Sequence, residues 1–121
     1  MASMLVVDDE RDITQILADL LAMRGHDVTA AQSGAQALAL ARQRNFDVVF
    51  LDIAMPGIDG IETLQLLKKE FPGTIVIMIS GVSDEAIARK SLDLGAFDYI
   101  RKPFEFSRLD KVVALSLATR D

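Results

Sequence analysis

Five short strand-like runs, each followed by a longer stretch with one apolar face, constrain this chain more than any other feature of its sequence. "MLVV" (4–7) is a continuous apolar run of the kind that suits a strand covered on both faces. After it, Ile13, Ile16, Leu17, Leu20 and Leu21 fall at i, i+3, i+4, i+7 and i+8, one side of a helix that Gly25 should end. "DVTAA" (27–31) is a weaker second strand, and Ser33 with Gln36 forms a capping box that opens a helix. "FDVVFLD" (46–52) predicts the third strand, and Asp59 with Glu62 caps a helix carrying Ile61, Leu64 and Leu67. Pro72-Gly73 breaks the chain before the β-branched run "TIVIMIS" (74–80). Ser83 and Asp84 can cap a fourth helix to about Leu94, the one with the weakest apolar face. Gly95, the strand "FDYIR" (97–101) and a helix from about Glu105 complete five βα units. Alternation of this kind implies a doubly wound α/β domain, a parallel sheet with helices on both faces. The pattern leaves its strand order open between the two common arrangements.

Composition narrows the functions such a domain can have. Its 121 residues show no repeat, linker or internal boundary, so one domain over 1–121 is expected. The net charge of −5 argues against a broad nucleic-acid surface. No apolar run approaches a membrane span, and "MASMLVVDDE" lacks the basic and apolar regions of a secretion signal. The absence of cysteine excludes disulfides and thiolate metal sites and agrees with a cytoplasmic location.

Charged and hydroxylic residues follow four of the five strands. Asp8, Asp9 and Glu10 come after the first, Asp52 after the third, Ser80-Gly81 after the fourth and Lys102-Pro103 after the fifth. The carboxyl edge of an open α/β sheet is where ligand crevices form, so these residues converge on one edge. Two carboxylates about 4 Å apart repel by roughly 4 kcal/mol at an effective dielectric of about 20. A divalent cation relieves that repulsion, and oxygen donors without cysteine or clustered histidine favour Mg2+. Mg2+ also favours phosphate oxygens, which makes Asp52 a candidate nucleophile for phosphoryl transfer.

"VVDDE", "FLDIAMPGIDG", "MISG" and "GAFDYIRKPF" occur in an order and at spacings that resemble the receiver domains of two-component response regulators, over essentially the whole chain. The resemblance implies a flavodoxin-like sheet in the order 2-1-3-4-5, with Asp52 as phosphoacceptor. It makes Asp9 a direct Mg2+ ligand, Asp8 a ligand often acting through water, and Asp52 and the Ala54 carbonyl the remaining protein ligands. Ser80, with Gly81, and Lys102 would bind the phosphoryl group. Ser80 and Tyr99 would form the switch, the ring rotating inward as the loop after the fourth strand closes on the phosphoryl oxygens. The surface switched would be that of the fourth helix, fifth strand and fifth helix. Lys102-Pro103 matches a cis peptide, and such a bond before proline costs only about 0.5–1 kcal/mol. The implied partners are a sensor histidine kinase or histidine phosphotransfer protein and an effector domain or target, with room for a phosphorylation-dependent homodimer. No direct contact with nucleic acid or membrane is implied.

Plainer readings exist for each residue. Asp8 or Asp9 could cap the first helix, a role expected of Asp9 in addition to metal binding. Tyr99 could be a core aromatic with a wet hydroxyl. His26 is expected to be solvated at the opposite edge, and the methionines to serve packing. A phosphorylation-independent interaction module is the competing function, and it is disfavoured because every acidic, hydroxyl and lysine position is filled. A hydrolase with an aspartyl-phosphate intermediate would want an acid at position 54, which is Ala54; a flavin carrier would not place "DDERD" after its first strand. By the same resemblance, Ala54 and Val82 flank the path of hydrolytic water and cannot orient it, so slow loss of the phosphoryl group is expected.

Overall fold

Val48, Val49, Phe50 and Leu51 are at most 1% exposed, the burial expected of a strand covered on both sides. They form the centre of a parallel sheet in a computed structural model that describes residues 2–55, 57–82 and 84–119. The strands are β1 (Ser3–Val7), β2 (Asp27–Ala31), β3 (Val48–Leu51), β4 (Ile75–Ser80) and β5 (Asp98–Arg101), and they lie in the order β2-β1-β3-β4-β5. Helices α1 (Arg11–Met23), α2 (Gly34–Gln43), α3 (Gly60–Glu70), α4 (Glu85–Asp93) and α5 (Phe106–Ala118) alternate with them. Of the two orders that pattern alone leaves open, this is the flavodoxin-like one.

The period of two along each strand sorts its side chains into separate layers. Met4, Val6, Val48, Phe50, Ile77, Ile79 and Ile100 pack with Leu17, Leu20 and Leu21 of α1 and with Leu109, Val112 and Val113 of α5. Leu5, Val7, Val49, Leu51, Val76, Met78 and Tyr99 face the other way, toward Leu38 of α2 and Leu64 and Leu67 of α3. On that second face α4 is lightly held. Its one buried residue is Ser91, while Ile87 and Ala88 are only partly covered and Leu92 is 45% exposed.

Helix ends follow the sequence signals with two differences. Ser33 Oγ accepts from the Gln36 amide at 3.1 Å, but Gln36 Oε1 turns back to the amide of Gln32 rather than to Ser33, so the capping box closes one residue early. Asp59 and Asp84 accept from the amides of Glu62 and Ala86, while Ser83 lies outside the described residues. At α1 the N-cap is Glu10 and makes no side-chain cap bond, so Asp9 does not have the capping role expected of it. Gly25 ends α1 with φ at +87°; its amide and that of His26 return to the carbonyls of Ala22 and Leu21, a Schellman closure that needs the left-handed residue. His26 is half-buried rather than simply solvated. Its Nδ1 accepts the Ala2 amide at 3.2 Å, and burial lowers its pKa. Of the methionines, Met4, Met55 and Met78 pack as expected, but Met23 is 82% exposed. Among the described residues no helix is long and apolar enough to cross a membrane.

A Cβ at Gly25 or at Gly73 would meet nothing within 4 Å, and only Gly25 of the two has positive φ. Gly25→Ala is therefore expected to lower the free energy of unfolding by about 1 kcal/mol through backbone strain alone. Gly73→Ala should leave it unchanged or raise it by up to about 1 kcal/mol through loss of freedom in the unfolded chain. Urea denaturation of the two variants beside the wild type measures the contrast.

Candidate functional site

Sheet register brings the charged residues together. Val7 pairs with Leu51, and the Asp52 amide donates to the Val7 carbonyl at 3.0 Å, so Asp8 and Asp52 leave adjacent strands side by side. Ser80 pairs with Arg101, and the Lys102 amide donates to the Ser80 carbonyl at 2.9 Å. Four strand ends thus deliver two carboxylates, a hydroxyl and an ammonium to one edge. The Lys102-Pro103 peptide is cis, as expected.

Lys102 Nζ is 2.5 Å from Asp8 Oδ2 and 3.4 Å from Asp52 Oδ2. Asp8 is 2% exposed and Asp52 6%. A desolvated carboxylate needs compensating partners, and each has two. Asp8 Oδ1 accepts from the Glu10 amide at 3.0 Å, and Asp52 Oδ1 from the Ile53 amide at 2.7 Å. Burial works against the Lys102 ammonium, but the hydrogen bond to Asp8 and the charges of Asp52 and Asp8 outweigh it, and its pKa is raised. One ammonium shared by two buried carboxylates leaves the set with net negative charge.

A cleft of about 320 Å³ opens above these groups, lined by Asp9, Glu10, Asp52, Ala54, Ser80, Gly81, Val82 and Lys102. Asp8, Asp9 and Glu10 each offer a carboxylate oxygen, all within 4.8 Å of one another. A donor set made only of hard oxygens beside net negative charge fits Mg2+. The geometry also adds Glu10 to the expected residues. Sequence reading noted it only as the residue after two aspartates, and the signal available was its place at the start of α1, where the chain turns over the cleft.

The loop after β4 is tied down by the two expected switch residues. Ser80 Oγ accepts from the Val82 amide at 3.2 Å. The Tyr99 hydroxyl donates to the Val82 carbonyl at 2.7 Å. Tyr99 is 8% exposed, already packed in the inward position where the expected rotation would end, and burial raises its pKa. Side chains from β4 and β5 therefore hold both ends of Val82.

The fold and this cleft define a flavodoxin-like α/β domain with an acidic pocket at the carboxyl edge of its sheet. Residues 4–114 match the family model of the response regulator receiver domain. The chain belongs to the response regulator receiver family. It is 38% identical over 117 residues to the nitrogen assimilation regulatory protein NtrX of Azorhizobium caulinodans, covering 95% of this chain and 26% of that protein. It is 39% identical over 114 residues to the transcriptional regulatory protein ZraR of Salmonella typhimurium, covering 94% and 26%. The chain thus spans about a quarter of the length of these curated relatives. Among solved structures it is similar to the receiver domain of NtrX from Brucella abortus, with a TM-score of 0.91 at 40% identity over 96% of this chain and 98% of that one. The BeF3-activated DrrB receiver domain gives a TM-score of 0.89 at 30% identity, covering 98% of both chains. Receiver domains of response regulators are phosphoacceptors in two-component signalling.

Lys102→Met would leave Asp8 and Asp52 without their shared cation. In Mg2+-free buffer it is expected to lower stability by about 3 kcal/mol, as loss of one member of a buried ion pair does. The pH dependence has a definite sign. Because the folded pKa of Lys102 is raised, its contribution is complete below the unfolded lysine value of about 10.4 and is lost as pH rises through the folded value. Urea midpoints followed from about pH 8 to about pH 11 should fall more steeply for the wild type than for Lys102→Met.

Proposed function

We propose that this chain is a phosphorylation-controlled switch whose phosphoacceptor is Asp52 and whose phosphoryl donor is a phosphohistidine on a sensor kinase or phosphotransfer protein. The observation that carries the reading is the single ammonium of Lys102 lying within 3.4 Å of both Asp8 and Asp52 at the rim of one acidic cleft. Asp52 Oδ1 is occupied by the Ile53 amide, while Oδ2 faces Lys102. Oδ2 is then the oxygen that attacks phosphorus; the phosphorus–nitrogen bond of the donor breaks, and its electron pair stays on the imidazole. Lys102 pairs with the incoming phosphoryl oxygens, and the Ser80 hydroxyl turns to donate to one of them.

Asp8, Asp9, Asp52 and the Ala54 carbonyl would hold Mg2+, with Glu10 beside them. When bound, the ion supplies the positive charge that lets phosphoryl oxygens lie among carboxylates. For the chain itself, catalysis is a matter of positioning and charge compensation. Phosphorylation adds about −1.5 to −2 units of charge. Ser80, drawn to that charge, would move Val82, and Tyr99 is bonded to Val82. The lightly held α4 is the element such a pull could shift, so the surface of α4, β5 and α5 is the output. That output would meet an effector domain, a target protein or a second copy of the chain.

The experiment is transfer of label from acetyl phosphate in the presence of Mg2+. The wild type should incorporate one phosphoryl group, lost on removal of Mg2+ and absent from Asp52→Ala. Equal labelling of Asp52→Ala would overturn the assignment, and no labelling of either would favour a phosphorylation-independent interaction module. Ala54 and Val82 line the cleft without a polar side-chain group. Once labelled, the purified Mg2+-bound protein should keep its phosphoryl group for minutes or longer; decay within seconds would count against a cleft unable to orient water.

A further inference from the structure

We infer that Gly60 is a positioning residue for the Asp52 carboxylate, acting through the peptide that joins Asp52 to Ile53. A Cβ built on Gly60 would stand 2.1 Å from the Asp52 carbonyl oxygen, 2.5 Å from Ile53 Cα and 2.8 Å from the Asp52 carbonyl carbon. All three are backbone atoms, so no side-chain rotation can relieve the approach. The N–H of that same peptide is the group that donates to Asp52 Oδ1 at 2.7 Å. One face of α3's first residue thus abuts the carbonyl end of the unit whose amide end orients the carboxylate. The contact is closed by the Gly60 amide, which donates to the Ile53 carbonyl at 2.9 Å.

The helix has little room to retreat. Thr63, one turn on and fully buried, lies against α2, where a Cβ on Gly34 would meet its Oγ1 at 2.1 Å. Asp59 holds the first turn by accepting from the Glu62 amide at 2.9 Å. With the start of α3 wedged, a side chain at position 60 must rotate or push the Asp52-Ile53 peptide. The rotation takes the N–H off Oδ1 and frees the carboxylate to swing toward Lys102. Gly60 therefore reaches the site without touching the cleft, which its residue does not line. This role rests on Asp52 being the phosphoacceptor.

The test compares Gly60→Ala with Leu67→Ala, a cavity variant at a fully buried position of the same helix and away from Asp52. Labelling by acetyl phosphate and Mg2+ should be slower in Gly60→Ala by about tenfold to a hundredfold, the loss expected from misplacing a reacting group, and near the wild-type rate in Leu67→Ala. Hydrogen exchange of the Ile53 amide, followed by NMR without any phosphoryl donor, should be at least about tenfold faster in Gly60→Ala than in Leu67→Ala. Wild-type labelling in Gly60→Ala overturns the inference, as does slow labelling with an unchanged Ile53 amide, because the route through that peptide would then be wrong. If the wild type itself is not labelled, the phosphoacceptor reading has failed and the exchange data alone decide whether Gly60 holds the peptide. Should Gly60→Ala unfold, all three proteins are compared in trimethylamine N-oxide. Failure to fold even there also overturns the inference, which requires a local displacement in an intact sheet.

Discussion

Two carboxylates, 2% and 6% exposed, share one ammonium at the edge of this sheet, and the arrangement of the whole domain serves that sharing. Neither Asp8 nor Asp52 could be buried alone, because a desolvated charge without partners costs several kcal/mol. Lys102 reaches both because β1 and β3 end in register and its own amide is held on the Ser80 carbonyl beside them. Each carboxylate gives its other oxygen to a backbone amide immediately downstream, so both are oriented as well as compensated. The result is a carboxylate that is held, largely buried and next to a cation, the kind of preorganisation that favours charge development at a fixed position.

Around that edge the domain divides its rigidity unevenly. The layer formed with α1 and α5 joins an extended apolar cluster, and Arg24 of the chain just past α1 pairs with Asp110 of α5. On the other layer α2 and α3 approach closely through Gly34, and Arg42 and Glu70 bridge them at 2.8 Å. Next to these, α4 contributes one buried serine. The loop leading into α4 is the one whose Val82 is held by Ser80 and Tyr99. The tightly held acidic edge and the lightly held α4 thus lie on opposite sides of one short loop.

Much of this was legible in the residues because each signal was local. Gly25 and Gly95 end helices with positive φ, and Ser33, Asp59 and Asp84 accept from first-turn amides, as short-range patterns predict. Where reading erred, the deciding contact came from elsewhere in the chain. Asp9 was read as a cap from its place before a helix, but the turn at Asp8 makes Glu10 the N-cap. His26 was read as solvated from its turn, but the Ala2 amide, 24 residues away, finds its Nδ1. Tyr99 was read as a ring that would rotate inward or as a core aromatic with a wet hydroxyl, but its hydroxyl is tied to the Val82 carbonyl, 17 residues away. Gly60 carried no local signal beyond opening a helix, since its meaning lies in the backbone it touches.

By itself, the sequence determined the elements, their alternation and which residues stand where each strand stops, because hydrophobic period, capping and turn chemistry are properties of neighbouring residues. It also limited the donors at the edge to oxygen and one lysine. Tertiary structure decided the strand order, the partner that each carboxylate takes, the inward seat of Tyr99 and the contact between Gly60 and the peptide after Asp52. Those depend on register and close packing between segments tens of residues apart, and such distances exist only once the sheet has formed.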